Sequence, residues 1–270
     1  MMTSTDTLSN PLSLFLLDGK AIVIIGASGA LGRAVAVAIA ALNAKVLLVS
    51  GSRDALEEVA AEARARGGTV ETLVARPNSL MKARANIARS VELFGRVDSV
   101  FVASGYNKPS AVIEEMPLED WEAVMDANVR DLWLLTQAFD EHTATREGGG
   151  RMVLVPSVRG RQGSLAGYTA YCTSKGAVDS LTKTLATVWG PRGVNVNAIA
   201  PSVFRSTLTD WIFAGTEAGA ASRERNFARI PKMRLGEPED FVGIAIYLLS
   251  AASDFVTGQI IYVDGGYTAP

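Results

Sequence analysis

One cysteine and one histidine stand among 270 residues. Cys172 has no second thiol to pair with, which excludes an internal disulfide and fits a reducing compartment; the cytoplasm is the expected location. Metal ligation needs several His, Cys or carboxylate ligands converging, and no such spacing occurs, so no metal is expected. His142 sits in "DEHTATREGGGR", which reads as a helix end and a loop. It is therefore expected to be a solvated surface residue rather than a triad member. Positive charge is not in surplus: 26 Lys and Arg stand against 28 Asp and Glu, a net charge of −2. Nucleic acid is not an expected partner. Long hydrophobic runs are also missing. The longest candidate, "AVAVAIAALNAKVLLV", is interrupted by Asn43 and Lys45, so no membrane span is expected. The opening "MMTSTDTLSN" lacks a basic segment followed by an apolar one. Residues 1–16 are expected to form a flexible tail, and 17–270 a single domain.

What is present is apolar content, 48% of the chain, distributed in a repeating order. Short β-branched runs at 21–26, 45–50, 70–75, 99–105, 151–157, 194–202 and 258–266 alternate with longer helical patterns. Runs of this kind fit strands buried on both faces. The expected fold is α/β: a single-domain, Rossmann-like, doubly wound parallel sheet of about seven strands with helices on both faces. The helical pattern from Pro117 to Phe139 is expected to break into two pieces.

After the first strand comes "GASGALGR", with Gly26, Gly29 and Gly32 spaced three apart. Glycine lets the backbone turn tightly and approach a phosphate, and the following helix aims its free N–H groups and dipole at the same point. Such a strand-to-helix turn makes a pyrophosphate cradle. Strand two ends "VSGSRD". Ser50 stands where an acid would select an unmodified ribose, and Arg53 follows. That pairing favours NADP(H) over NAD(H).

"AYCTSKGAV" places Tyr171 and Lys175 four residues apart, on one face of a helix. Free tyrosine titrates near about pH 10, so a tyrosine base at neutral pH must titrate two to three pH units lower, worth about 3–4 kcal/mol. A neighbouring ammonium acts in that direction.

"GASGALG", "ANV" at 127–129, "PSV" at 156–158, "YCTSK", "NAIAPS" and "RLGEPEDFVG…VTGQIIYVDGGYT", in that order and spacing, resemble the short-chain dehydrogenase/reductase family, in its compact Tyr-x-x-x-Lys branch. The last segment is similar to 3-oxoacyl-carrier-protein reductases and sugar dehydrogenases of the gluconate type. The resemblance covers about residues 17–268. It implies hydride transfer between a nicotinamide cofactor and a carbonyl or secondary alcohol, with Tyr171 as general acid/base. Lys175 would bind the nicotinamide ribose and favour the tyrosinate. Ser157 would hold the reacting oxygen, and Asn128 would anchor a water behind the lysine. Gly26, Ser28, Gly29, Leu31, Gly32, Ser50, Arg53, Ala103, Gly105, Pro201 and Ser206 would line the cofactor with Tyr171 and Lys175.

The sequence departs from the family pattern in places. Ala30 replaces a glycine of the turn, and Ile25 stands where a threonine is common. Val102, Ala103, Ser104 and Gly105 replace Asn-Asn-Ala-Gly. Arg76 and Pro77 replace an aspartate beside the adenine, which adds positive charge at the cofactor's outer end.

Residues 206–230 are expected to lie over the site as a lid, with Trp211 among the covering aromatics. Arg159, Arg161, Gln162 and Tyr168 are candidate substrate neighbours. The two arginines point to a carboxylate, phosphate or polyhydroxy substrate. The substrate itself stays open among 3-oxoacyl thioesters, sugar acids and other ketones. The family resemblance also implies a homotetramer or homodimer. A catalytically silent dinucleotide sensor or scaffold is the competing reading.

Overall fold

The computed structural model describes residues 9–108, 111–145, 148–164, 167–206 and 209–269. Seven strands form one parallel sheet: β1 (Ala21–Ile25), β2 (Lys45–Ser50), β3 (Thr69–Val74), β4 (Ser99–Val102), β5 (Gly150–Leu154), β6 (Val194–Pro201) and β7 (Ile260–Val263). Their order is β3-β2-β1-β4-β5-β6-β7. The chain builds outward from β1 in one direction, then returns to its other side with β4. That reversal leaves a crevice at the carboxyl ends of β1 and β4, where ligands of such sheets bind. Ile25 pairs in register with both Val49 and Val102, so the three strand ends finish level.

Alternation along β1 shows why the sheet is covered on both faces. Ile22 and Ile24 point into one apolar layer with α1 (Ala30–Ala40) and α2 (Arg53–Arg64). Val23 and Ile25 point into the other, with α3 (Leu80–Phe94), α5 (Asp131–Ala144) and α6 (Thr169–Trp189). Each fully buried aliphatic side chain contributes about 1.5–3 kcal/mol. In α2 the buried residues Leu56, Val59, Ala60 and Ala63 fall at helical spacing, and Ser52 caps its first turn by accepting from Ala55 N.

The expected break between Pro117 and Phe139 is a π-helical turn, Asp126–Arg130, between α4 (Leu118–Met125) and α5. It carries the buried Asn128. Inserted π turns are frequent at functional sites.

Three expectations change. The fourth, fifth and last strands end earlier, at Val102, Leu154 and Val263, because the chain then turns into the crevice at Gly105, into the short helix that Ser157 caps, and into a carboxylate-capped turn at Asp264. His142 is half-buried rather than solvated, with Nε2 3.3 Å from Val97 O. Its spacing from Leu135, Ala138 and Phe139 sets it beside the apolar stripe of α5. Of the expected tail, residues 1–8 lie outside the described residues. Pro11–Phe15 forms a 3-10 turn, with the Phe15 ring 6.4 Å from that of Tyr247.

Toward the C-terminal end lie α7 (Glu217–Phe227) and α8 (Val242–Leu249). No helix of the described residues is long and apolar enough to cross a membrane.

Candidate active site

The glycine turn is shaped by contacts that only glycine permits. Gly26 has φ +80°, and a Cβ there would lie 2.5 Å from Ser104 N. At Gly32 a Cβ would lie 2.3 Å from Gly26 O. Gly26 thus packs directly on the backbone after β4, where Ala103 N donates to Ile25 O at 2.9 Å. Ile25 and Val102, the departures at this point, are both buried in one apolar layer. Helix α1 starts at Ala30 with Gly29 as its N-cap and no side chain capping it, so its first N–H groups stay available to an anion. Ser28 and Leu31 are half-buried in the same turn. A dinucleotide's pyrophosphate fits this cradle.

At the outer end of the crevice, Ser50 is buried and its Oγ accepts from Ser52 N at 3.2 Å. Arg53 opens α2. The guanidinium of Arg76, from the loop after β3, lies over Gly51: a Cβ on Gly51 would meet Arg76 Nε at 2.4 Å. Neither arginine forms an ion pair among the described residues. Two cationic groups therefore flank the end of β2, where an adenosine ribose would rest.

The reaction centre joins three elements. Ser157 follows β5 and starts a one-turn helix, Val158–Arg161. Its Oγ accepts from Arg159 N at 3.2 Å and lies 3.4 Å from Pro201 O, at the end of β6. Tyr171 and Lys175 come from α6. The Lys175 ammonium is buried, donates to Val155 O at 3.0 Å, and lies 5.6 Å from the centroid of the Tyr171 ring. A Cβ on Gly105 would stand 3.3 Å from Lys175 Nζ and 3.9 Å from Asn128 Oδ1, so the chain after β4 lies close to both. Asn128 accepts from Tyr106 N and donates to Tyr106 O, both at 2.8 Å, and donates to Ser174 Oγ at 2.9 Å. Its amide ties the loop after β4 to α6.

Electrostatics adjust the expectation for Tyr171. Burial pushes its phenol above the ordinary value of 10.0, while a hydrogen bond with Ser157 and the charge of Arg159 pull the other way. Burial also pushes Lys175 down to about 8, against the charge of Asp179. The lysine is itself desolvated and donates to the carbonyl of Val155, and the groups that pull the phenol down are Ser157 and Arg159 rather than the lysine.

The substrate side has more in it than spacing suggested. Tyr168 stacks edge-on to Tyr171, with centroids 6.4 Å apart, and a crevice lined by Lys108, Val124, Tyr168 and Tyr171 opens beside them. Arg159 lies over the ring of Tyr267, and Gln162 accepts from Arg229. Arg161 turns instead to Tyr262, 5.6 Å from its ring centroid. Ser206 is engaged with Thr209, its N–H donating to Thr209 Oγ1 at 2.8 Å. Trp211 is half exposed, and its neighbour Ile212 is the buried residue of that turn. Residues 207 and 208 of the expected lid lie outside the described residues. Arg229 and Tyr267 were not foreseen. The only hint was the glycine pair before Tyr267, which calls for an unusual turn.

A family model described as enoyl-(acyl carrier protein) reductase matches residues 26–268. An uncharacterized oxidoreductase of Mycobacterium tuberculosis is 49% identical over 258 residues, which make up 96% of this chain and 94% of that protein. Gluconate 5-dehydrogenase of Gluconobacter oxydans is 33% identical over 263 residues, 97% of this chain and 99% of that one. The crystal structure of a gluconate 5-dehydrogenase from Burkholderia cenocepacia, in complex with NADP and tartrate, superposes with a TM-score of 0.89 at 28% identity. It covers 97% of this chain and 100% of that one.

Proposed function

This chain belongs to the short-chain dehydrogenase/reductase family, and from that premise we propose that Asn128, Ser157, Tyr171 and Lys175 are its catalytic set and NADP(H) its preferred cofactor. The protein is an NAD(P)-dependent oxidoreductase acting on a carbonyl or secondary alcohol. When bound, the nicotinamide supplies the hydride chemistry. The chain's own task is to hold the reacting oxygen and move its proton. Ser157 fixes that oxygen beside Tyr171. In reduction Tyr171 Oη donates a proton to it, and in oxidation Tyr171 Oη accepts one. Lys175 holds the ribose side, and Asn128 keeps the loop after β4 against α6.

The observation that carries this reading is the meeting of Ser157, Tyr171 and Lys175 at the crevice mouth, beside a glycine cradle made for a dinucleotide. The NADP preference is supported by Arg53 and Arg76 at the end of β2, in the absence of an acid there. The solved gluconate dehydrogenase, bound to NADP, agrees with it. Residues 17–270 act as one dinucleotide-binding domain, with 206–230 as its lid. Exposed Trp133 on α5 and Val188 on α6 support pairing of copies through these helices, as a homodimer or homotetramer. The lone cysteine supports a cytoplasmic location.

The test is fluorescence titration with NADPH and NADH, followed by a ketone and alcohol screen on wild type and Tyr171→Phe. Cofactor binding retained with turnover lost in the variant is expected. Turnover that survives in Tyr171→Phe overturns the assignment.

A further inference from the structure

We infer that Arg159 and Arg229, gathered on the ring of Tyr267, form a binding site for a carboxylate on the substrate, at the end remote from the reacting carbon. The inference rests on Tyr171 being the proton-transfer group.

Both guanidiniums lie over one ring, Arg159 Cζ 5.8 Å and Arg229 Cζ 4.3 Å from its centroid. An aromatic face holds a guanidinium while leaving its N–H edges free. Each spends one nitrogen on a neutral acceptor: Arg159 Nη1 donates to Gly163 O at 3.0 Å, and Arg229 Nη2 to Gln162 Oε1 at 3.2 Å. Neither forms an ion pair among the described residues. Nearby Arg205 and Arg234 are, by contrast, paired with Glu237 and Asp240. Two cations without an ion pair among the described residues therefore meet on one ring.

The position is tied to the reaction centre. Arg159 is two residues from Ser157, its N–H bonds the serine oxygen, and its charge is felt at Tyr171.

The site is also built rather than incidental. Tyr267 is 4% exposed. Asp264 fixes the turn that presents it, accepting from Gly266 N at 2.9 Å, Thr268 N at 2.9 Å and Thr268 Oγ1 at 2.7 Å. Gly265 and Gly266 take φ of +64° and +91°, and a Cβ on Gly266 would fall 2.9 Å from Pro231 Cγ. Lys232 N donates to Gly265 O at 3.1 Å. The turn and the segment carrying Arg229 are thus locked together.

Carboxylate fits this site better than phosphate. Arginine forks match a planar carboxylate. The backbone N–H of Arg159, which a phosphate would recruit, is already taken by Ser157.

The test uses matched pairs of an acid and its neutral counterpart: D-gluconate with D-glucitol, and 3-hydroxybutyrate with 2-butanol. Calorimetry on the NADP-loaded protein reads binding, and circular dichroism checks the fold of each variant. At least one acid is expected to bind tenfold or more tighter than its counterpart. Arg229→Ala and Arg159→Gln should abolish that advantage, with Arg229→Lys recovering only part of it. In Arg229→Ala the Michaelis constant for the acid should rise tenfold or more, while a neutral alcohol is still turned over.

Equal binding of acid and neutral partner in both pairs overturns the inference, as does acid binding unmoved in Arg229→Ala. Displacement of the acid by inorganic phosphate at lower concentration than by acetate overturns the carboxylate assignment. Tyr171-dependent turnover without acid preference rejects this site alone. Arg229-dependent acid binding without Tyr171-dependent turnover upholds the site and rejects the catalytic reading.

Discussion

Lys175 and Tyr171 stand one turn apart on α6, yet the lysine ammonium reaches past the ring to the carbonyl of Val155. The pair shares a helix face, as i and i+4 residues do. Its charge is spent on a backbone acceptor in a desolvated niche, and the phenol is left to its own burial.

This has a pH consequence in carbonyl reduction. Burial pushes the pKa of Tyr171 up, so its proton is not the first to be lost. Lys175, with its pKa pushed down to about 8, loses its charge first as pH rises. kcat/KM reports groups of the free enzyme. It is expected to stay level through neutrality and fall above about pH 8. Lys175→Arg, whose guanidinium stays charged, should remove that alkaline fall at reduced rate. A profile level to pH 10 in wild type would reject the role given to the Lys175 charge.

A second prediction concerns the outer end of the crevice. Removing either Arg53 or Arg76 as alanine should weaken NADPH about tenfold or more, the scale of a lost charge-assisted hydrogen bond. NADH should change less than about twofold. Gly51→Ala tests the geometry without removing a charge. Its Cβ would fall on Arg76 Nε, at the end of a flexible side chain, so the arginine moves and the fold holds. NADPH affinity should drop while the melting temperature does not. Tighter NADH binding, indifferent to all three variants, would return the preference to NAD.

Asn128 is a positioning residue as well as a member of the catalytic set. Asn128→Ala removes the partner of Tyr106 N, Tyr106 O and Ser174 Oγ at once. Leaving such groups unmatched costs about 1–3 kcal/mol. A lower urea midpoint with an unchanged slope is expected, together with lost activity. Full stability in the variant would show that the loop after β4 does not depend on this amide.

How far the molecule could be read in advance depended on the range of each contact. The strands were legible because β-branched runs buried on both faces carry their signal locally, as in "AIVII" of β1. Their ends were less so: β4 and β7 stop where Gly105 and Asp264 redirect the chain, not where hydrophobicity fades. Tyr171 and Lys175 were legible by spacing. Arg76 was noticed for its charge, but its contact with Gly51 joins two strands' loops. The meeting of Arg159, Arg229 and Tyr267 was hinted at only by the glycine pair before Tyr267. It depends on a turn held by Asp264, on left-handed glycines and on packing between distant segments. His142 could have been read better, since its spacing from Phe139 and Leu135 already placed it near the core.

Asp179, one turn beyond Lys175, gives the last prediction. Its Oδ1 is buried without a hydrogen-bond partner among the described residues, and a Cβ on Gly160 would lie 2.6 Å from Oδ2. Burial raises its pKa to about 6, against the charges of Lys183 and Lys175. With a raised pKa the folded state binds more protons than the unfolded one between about pH 4 and 6. The stabilising contribution is thus complete below about pH 4 and lost as pH rises through 6. At pH 7 the folded protein carries a carboxylate that its surroundings disfavour. Asp179→Asn removes that charge. Asp179 is half-buried as a residue, so screening leaves about 1 kcal/mol, and the variant's melting temperature at pH 7 should rise by about 2–4 °C. The gain should shrink toward zero as pH is lowered through 6 to 4. Thermal denaturation at pH 4, 5, 6 and 7 measures it. A variant less stable than wild type at pH 7 would show that the carboxylate's attraction to Lys175 and Lys183 outweighs its burial.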